Sequence, residues 1–461
     1  MSAARNETLT PEAVTSPAAP LGRLGFAFGN RFFVLFALGG LWLIPAFWNR
    51  QFFYGTILWD GIVLLGWLID LLLLPAPREI TVERLWPQPP ALLAKVPIEL
   101  RLLAPRGKVL TFRVTDDLPP ALRLEDGVTV TRTSPFGDAT VQIEIQPRER
   151  GDHTARKVYL KYHSELGLAV RWAVADLPQV IRVYPDLYAA GRGTIHLTRS
   201  RRIEFERRLQ RQRGMGREFE SLREYHQGDE FRDICWSATA RRGKFVTRLH
   251  QMERSQPVWI VLDSGRLLRA RVGELSKLDC VVNSALAVAQ LAIQSEDRVG
   301  LLAYGRGVQQ RVPLGRGAGQ MRLILDALSQ VKAEVPEADH LRAVATFQSM
   351  QPRRSLVIWM TDLAETAMTP EVIEAATLLS RKHLVLFVAV GQPELKAAAM
   401  ARPASVRAMY ESAAAQELIQ RREALLGRLR DRGALTVEAP PEGLSPAVLN
   451  QYLYVKEHSL L

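Results

Sequence analysis

Two aspartates stand where a sheet could bring them together. Asp263 closes the apolar run Val258-Trp259-Ile260-Val261-Leu262. Asp362 follows Thr361 at the end of a second run, Leu356-Val357-Ile358-Trp359-Met360. Continuous apolar runs of this length read as strands buried on both faces, and α/β sheets carry their sites at the carboxyl ends of such strands. Two carboxylates there, with the Ser264 hydroxyl beside the first, are hard oxygen donors of the kind Mg²⁺ takes at about 2.0–2.1 Å. Arg266 works against a cation, because its guanidinium is expected to pair with one of the carboxylates.

Other chemistry lacks its parts. Gly315-Arg316-Gly317-Ala318-Gly319 has no Lys-Ser/Thr after it and trails a hairpin, so it reads as a turn rather than a phosphate cradle. Asp263-Ser264-Gly265 lacks the Gly-x-Ser-x-Gly of a nucleophile elbow, and no nucleophile–base pair is recognisable. His153 and His163 have no Cys/His/Asp cluster around them. Cys235 and Cys280 form no close pair, which excludes a disulfide framework and a cysteine-based zinc site. The expectation is a non-enzymatic protein with no small-molecule substrate.

A second constellation runs through residues 216–265. Tyr225-His226-Gln227-Gly228-Asp229 reads as a turn, with Gly228 free to take positive φ and Asp229 capping a following helix. On that helix Phe231, Ile234, Cys235 and Ala238 fall on one face expected to be buried, and Gly243 is placed to end it. Arg217, Glu218, Glu220, Arg223, Glu224, Arg232, Asp233, Arg241, Arg242 and Lys244 surround it, material for a buried or half-buried ion-pair network.

The elements that position these groups follow from the pattern of the whole chain. Its 461 residues suggest two or three domains. Residues 1–30 are Pro/Ala/Thr-containing with little periodicity and are expected to be a disordered tail. Residues 31–76 hold two apolar runs, 32–48 and 53–74, separated by Asn49-Arg50-Gln51; they read as a transmembrane helical hairpin. Arg23, Arg31, Arg78 and Arg84 flank it and only Arg50 lies in the turn, so the positive-inside rule places both ends in the cytoplasm. Asp60 and Asp70 are expected to sit near helix ends and reach headgroups or water. Residues 79–185 show short alternating stretches punctuated by Pro, Gly and Asp, the pattern of a β-sandwich. Residues 186–255 form an arginine-rich arm, Arg192 to Arg213, and the charged segment above. Residues 256–461 alternate apolar strands with helices and read as a doubly wound α/β domain. The net charge of +12 permits an anionic lipid, a nucleic acid or an acidic protein as partner. Nucleic acid is disfavoured, since no stacking aromatics interleave the arginine run.

Glu218-Phe219, Leu222-Arg223-Glu224-Tyr225, Gly228-Asp229, Arg232, Ile234, Trp236, Ala240-Arg241, Glu253-Arg254 and Val261-Leu262-Asp263 together resemble the bacterial family called domain of unknown function 58. The layout is similar as well: membrane hairpin, β-rich domain ending in Val183-Tyr184-Pro185, signature, then a von Willebrand factor A-like domain. The resemblance implies an inner-membrane, multi-pass protein with cytoplasmic soluble domains. It also implies partnership with a MoxR-type AAA+ ATPase, beside which such proteins are commonly encoded, or with its client. It names Arg223, Tyr225, Gly228, Asp229, Arg232, Trp236 and Arg241 as signature positions. An intact metal-ion-dependent adhesion site has Asp-x-Ser-x-Ser; here Gly265 and Leu267 stand in the serine positions. Three readings remain open: an interaction or assembly factor presenting the face around Asp263 and Asp362, a Mg²⁺-dependent binding protein, and anionic-lipid or nucleic-acid binding through the arginine arm.

Overall fold

The computed structural model describes residues 10–22, 25–123, 129–134, 136–186, 218–226, 231, 234–251, 255–363, 369–458 and 460. They divide into two units, Met1–Tyr184 and Pro185–Leu461.

The first unit is built on antiparallel strands: β1 (Val14–Pro20), β2 (Phe26–Phe28), β3 (Thr81–Leu85), β4 (Val96–Leu103), β5 (Leu110–Asp116), β6 (Thr129–Arg132), β7 (Asp138–Ile145), β8 (Gly151–Ser164) and β9 (Ala169–Val183). Their order is β6-β5-β8-β9-β1-β3-β4-β7, with β2 on β9. Alternation decides which face is buried: Val96, Ile98, Leu100 and Leu102 of β4 point inward while the residues between them do not. These side chains share one core with Phe112, Leu160 and Ile181 from the other end of the order. Buried Arg84 on β3 grips Asp116 of β5 through two bonds and donates to Leu177 O of β9 at 3.0 Å. The expected disordered tail is corrected by β1, which pairs with β3 through residues 14–17 and with β9 through residues 18–20. Backbone pairing makes this strand, so its side chains need no strong period. Residues 1–9 lie outside the described residues.

Among the helices of this unit, α1 (Asn30–Gly39) gives way at Gly40 to a 3₁₀ turn and the short α2 (Leu43–Ala46); α3 (Gln51–Leu73) follows. Among the described residues only α3 is long and apolar enough to cross a membrane. Its 23 residues span about 35 Å. Asp70 lies near the end of α3, as expected, but it does not reach headgroups or water. It is fully buried and accepts from Ser164 Oγ (2.5 Å), Leu168 N (3.0 Å) and Ala169 N (2.8 Å), tying the end of α3 to the β8–β9 turn. Asp60 lies ten residues into α3 rather than near an end, and its enclosed Oδ1 meets no hydrogen-bond donor.

The second unit opens with the hairpin β10 (Glu218–Glu224) and β11 (Val246–Gln251), with α4 (Trp236–Arg242) between them. A sheet follows: β12 (Pro257–Asp263), β15 (Arg298–Tyr304), β16 (Val308–Gly315), β17 (Leu356–Thr361), β18 (Leu384–Val390) and β19 (Leu435–Ala439). A two-residue-strand hairpin, β13 (Arg271–Val272) and β14 (Leu275–Ser276), precedes the first crossover helix. The helices are α5 (Lys277–Gln294), α6 (Gly317–Gln330), α7 (His340–Met350), α8 (Thr369–Ser380), α9 (Pro393–Met400), α10 (Val406–Asp431) and α11 (Leu444–Glu457). Sheet order is β16-β15-β12-β17-β18-β19, parallel except for β16. The mixed α/β reading therefore holds. Winding reverses between β12 and β17, so the two expected carboxylates come out side by side at the switch point. Ser276 and Asp279 start α5 with a reciprocal capping box.

Candidate functional site

At the carboxyl edge of the sheet, Asp263 and Asp362 are both buried, at 3% and 4% exposure. Asp263 accepts from Gly265 N at 2.7 Å and from Thr361 Oγ1 at 2.6 Å. Burial raises its pKa above the ordinary carboxylate value, while the charge of His340 and these hydrogen bonds pull it back down. Asp362 is held differently. Its Oδ2 accepts from Lys277 Nζ at 2.6 Å, and its Oδ1 from Arg422 Nη2 at 2.9 Å and Leu363 N at 2.8 Å. Both cations are themselves buried. Arg422 on α10 also donates to Val390 O (2.6 Å), Glu438 (2.8 Å) and Leu363 O. One guanidinium thus joins the carboxyl ends of β17, β18 and β19 to a helix.

This geometry corrects several expectations. Arg266 pairs with Glu337 at 2.8 Å, away from both aspartates. Ser264 donates its hydroxyl to Tyr304 O at 2.8 Å and is wholly buried, a tie between β12 and β15 rather than a ligand. Gly265 leaves no room for a serine, since a Cβ there would meet the Ala338 amide nitrogen at 2.8 Å. The place a metal would take beside Asp362 is filled by an ammonium and a guanidinium. Among the described residues no cluster of three or more His, Cys, Asp or Glu is arranged to hold a metal ion. Nor do the carboxylates face outward for a partner. Sequence reasoning missed Lys277 and Arg422, which lie 85 and 60 residues from Asp362.

Behind Asp263 lies a buried polar chain. Trp359 Nε1 donates to Tyr304 Oη at 2.7 Å, and Tyr304 Oη meets His340 Nδ1 at 2.9 Å. Burial lowers the His340 pKa, against the opposing pull of Asp263, and burial raises that of Tyr304. Every member has a partner, the arrangement that makes a polar core rigid.

The signature segment presents a different surface. Phe231, Trp236 and Phe245 are 76%, 64% and 57% exposed. Tyr225 bridges Phe231 (6.1 Å) and Phe245 (6.3 Å), and Trp236 packs edge-on to Phe245 at 6.3 Å. Arg241, Arg242 and Lys244 are exposed beside them. The expected long helix with Phe231 on its buried face is corrected: α4 has seven residues, and Ile234 and Cys235 are buried ahead of it, with Ile234 bridging to Thr247. Gly243 does end the helix, at φ +67°. The pair Lys244–Glu224, 3.2 Å, is exposed rather than buried. Arg223 lies on β10 opposite Thr247. Gly228, Asp229, Arg232 and the arm Arg192 to Arg213 lie outside the described residues.

Residues 221–401, which take in part of this segment and most of the sheet, match the family described as protein of unknown function DUF58. The chain resembles that family. The match begins inside β10, so the DUF58-like stretch joins the aromatic hairpin to the α/β sheet and leaves out the first unit. No curated protein matches the chain. Among solved structures it is similar to the conserved hypothetical protein BatB from Bacteroides thetaiotaomicron, at 15% identity and TM-score 0.31, covering 44% of this chain and all of that one. It is similar to proximal thread matrix protein 1 from the mussel byssus with a zinc-occupied MIDAS motif, at 13% identity and TM-score 0.28, covering 43% of this chain and 46% of that one. It is also similar to an uncharacterized membrane spanning protein from Vibrio fischeri, at 18% identity and TM-score 0.16, covering 44% and 96%.

Proposed function

We propose that this chain is a membrane-anchored, non-enzymatic protein-interaction or assembly factor whose contact surface is the aromatic platform of the DUF58-like segment. One observation carries the reading: Phe231, Trp236 and Phe245 stay largely exposed while joined through Tyr225 and the edge-on Trp236–Phe245 contact, with Arg241, Arg242 and Lys244 exposed beside them. Clustered exposed aromatics with arginine are the composition of interface hot spots. The partner that fits is a protein surface with apolar pockets and an acidic rim. The family resemblance suggests a MoxR-type AAA+ ATPase or its client. The sheet order and the alternating strands support reading the second unit as von Willebrand factor A-like and the first as a β-sandwich. Anchoring rests on α3, with α1 and α2 as the other arm of a multi-pass hairpin in the bacterial inner membrane and the soluble parts in the cytoplasm. The satisfied carboxylates at the sheet edge argue against a Mg²⁺-dependent mode of binding.

The test is affinity capture from native membranes with the full-length chain and its Trp236→Ala/Phe245→Ala variant, with nucleotide present and absent. Capture of an AAA+ ATPase by the parent and its loss in the variant is expected. Equal capture by both would move the contact off the platform, and no ATPase in either would remove that partner.

A further inference from the structure

After β18 the chain leaves the carboxyl edge of the sheet and does not return at once. Helix α9 and the first part of α10 form a projecting finger. Arg422 fixes α10 at the sheet edge through Asp362 and Val390 O. The sixteen residues before it, 406–421, reach about 24 Å further at 1.5 Å per residue. In that reach Ser412 and Gln416 bond to Ala399 O of α9 at 3.3 and 3.1 Å, so the two helices support each other. No residue of α9 is buried.

The tip is apolar and basic together. Met400 is 84% exposed, Tyr410 70% and Val406 69%, with Met409 beside them. Residues 396–410 carry Lys396, Arg402 and Arg407 and no Asp or Glu. Arg407 pairs with Glu411 at 2.9 Å, but both are exposed, so the pair is weak and a headgroup phosphate can replace it. Exposed Met, Val and Tyr ringed by arginine suit the boundary between headgroups and acyl chains. Apolar side chains enter it, Tyr favours the interface, and cations meet anionic lipid.

We propose that the α9–α10 finger is a membrane-surface probe that seats its tip on anionic lipid. This rests on the anchoring reading above, which supplies the bilayer. The experiment uses the full chain reconstituted in vesicles of phosphatidylcholine with and without phosphatidylglycerol. An environment-sensitive fluorophore is placed at Met400→Cys, Met409→Cys or, at the far end of α10, Arg432→Cys, and the unsubstituted chain gives the background from buried Cys235 and Cys280. Quenching by nitroxide-bearing lipid is expected at 400 and 409, in anionic vesicles, and not at 432. Arg402→Gln and Arg407→Gln should each weaken it about fivefold, the effect of removing one cation from an anionic surface. A chain retained by the vesicles but unquenched at 400 and 409 overturns the proposal alone. Protection of both positions that depends on protein density and not on lipid overturns it in favour of a second copy. A chain that does not stay with the vesicles overturns the anchoring reading together with this one.

Discussion

Replacing Asp362 with alanine should cripple the second unit rather than merely blunt its surface. The carboxylate is the one group shared by Lys277 and Arg422, whose side chains are 8% and 9% exposed. Removing it leaves two buried cations. Arg422 keeps Glu438, Val390 O and Leu363 O, so its loss is partial. Lys277 loses its carboxylate outright and must either draw in water or give up its proton. Breaking a buried pair from one side costs about 3–5 kcal/mol, and the residual bonds of Arg422 keep the sum near that range. At about 1.4 kcal/mol per decade, opening of the unit becomes more frequent by roughly two to three and a half orders of magnitude. Amide hydrogen exchange resolved by peptide is the assay, because two separate units make one global transition ill-defined. Peptides from β12, β17 and α5 should exchange faster while those from β8 and β9 do not. Lys277→Met in the same chain should recover much of the loss, since removing both charges abolishes the penalty. An Asp362→Ala chain within about 0.5 kcal/mol of the parent would show that the carboxylate is not satisfying these cations.

Other consequences can be checked as directly. Calorimetric titration of the full chain with millimolar Mg²⁺ should give no binding heat, since the cation's place beside Asp362 is taken by Lys277; a saturable heat lost in Asp263→Ala would refute this. Asp70→Ala leaves Leu168 N, Ala169 N and Ser164 Oγ without their acceptor and should cost about 2–4 kcal/mol, seen as faster exchange across the β8–β9 turn; unchanged exchange there would refute the tie. His383 is buried against Ser355 and its pKa is pushed down to about 4. The folded state therefore binds fewer protons than the unfolded chain. The stability from neutral His383 is complete above about pH 6.5 and lost as pH falls toward 4, up to about 3 kcal/mol. A parent and His383→Gln chain with the same acid slope between those values would refute it.

Much of this architecture is legible in the order of residue types. Apolar runs such as 258–262 and 356–360 read as strands buried on both faces, and the alternation of such runs with helical stretches points to a largely parallel sheet, as observed. That alone brings Asp263 and Asp362 to one edge. The signature in 216–265 likewise marks a surface of interest, and Gly243 reveals where its helix stops. Composition misleads where backbone pairing decides, as in β1, whose Pro/Ala-rich strand is held by β3 and β9 rather than by a buried stripe of its own.

What the two aspartates do is a different matter. Whether a carboxylate binds a metal, faces a partner or neutralises a buried cation depends on which charges arrive from elsewhere, and sequence separation hides those. Lys277 comes from the start of α5 and Arg422 from the middle of α10, and only the folded sheet carries both to Asp362. The same holds for Phe231, which reads as a buried helical position and stands exposed because the helix begins five residues later. Local pattern sets the elements of this protein and the edge where its carboxylates meet. Long-range packing sets their charge partners, because electrostatic satisfaction is a property of neighbours in space and not of neighbours along the chain.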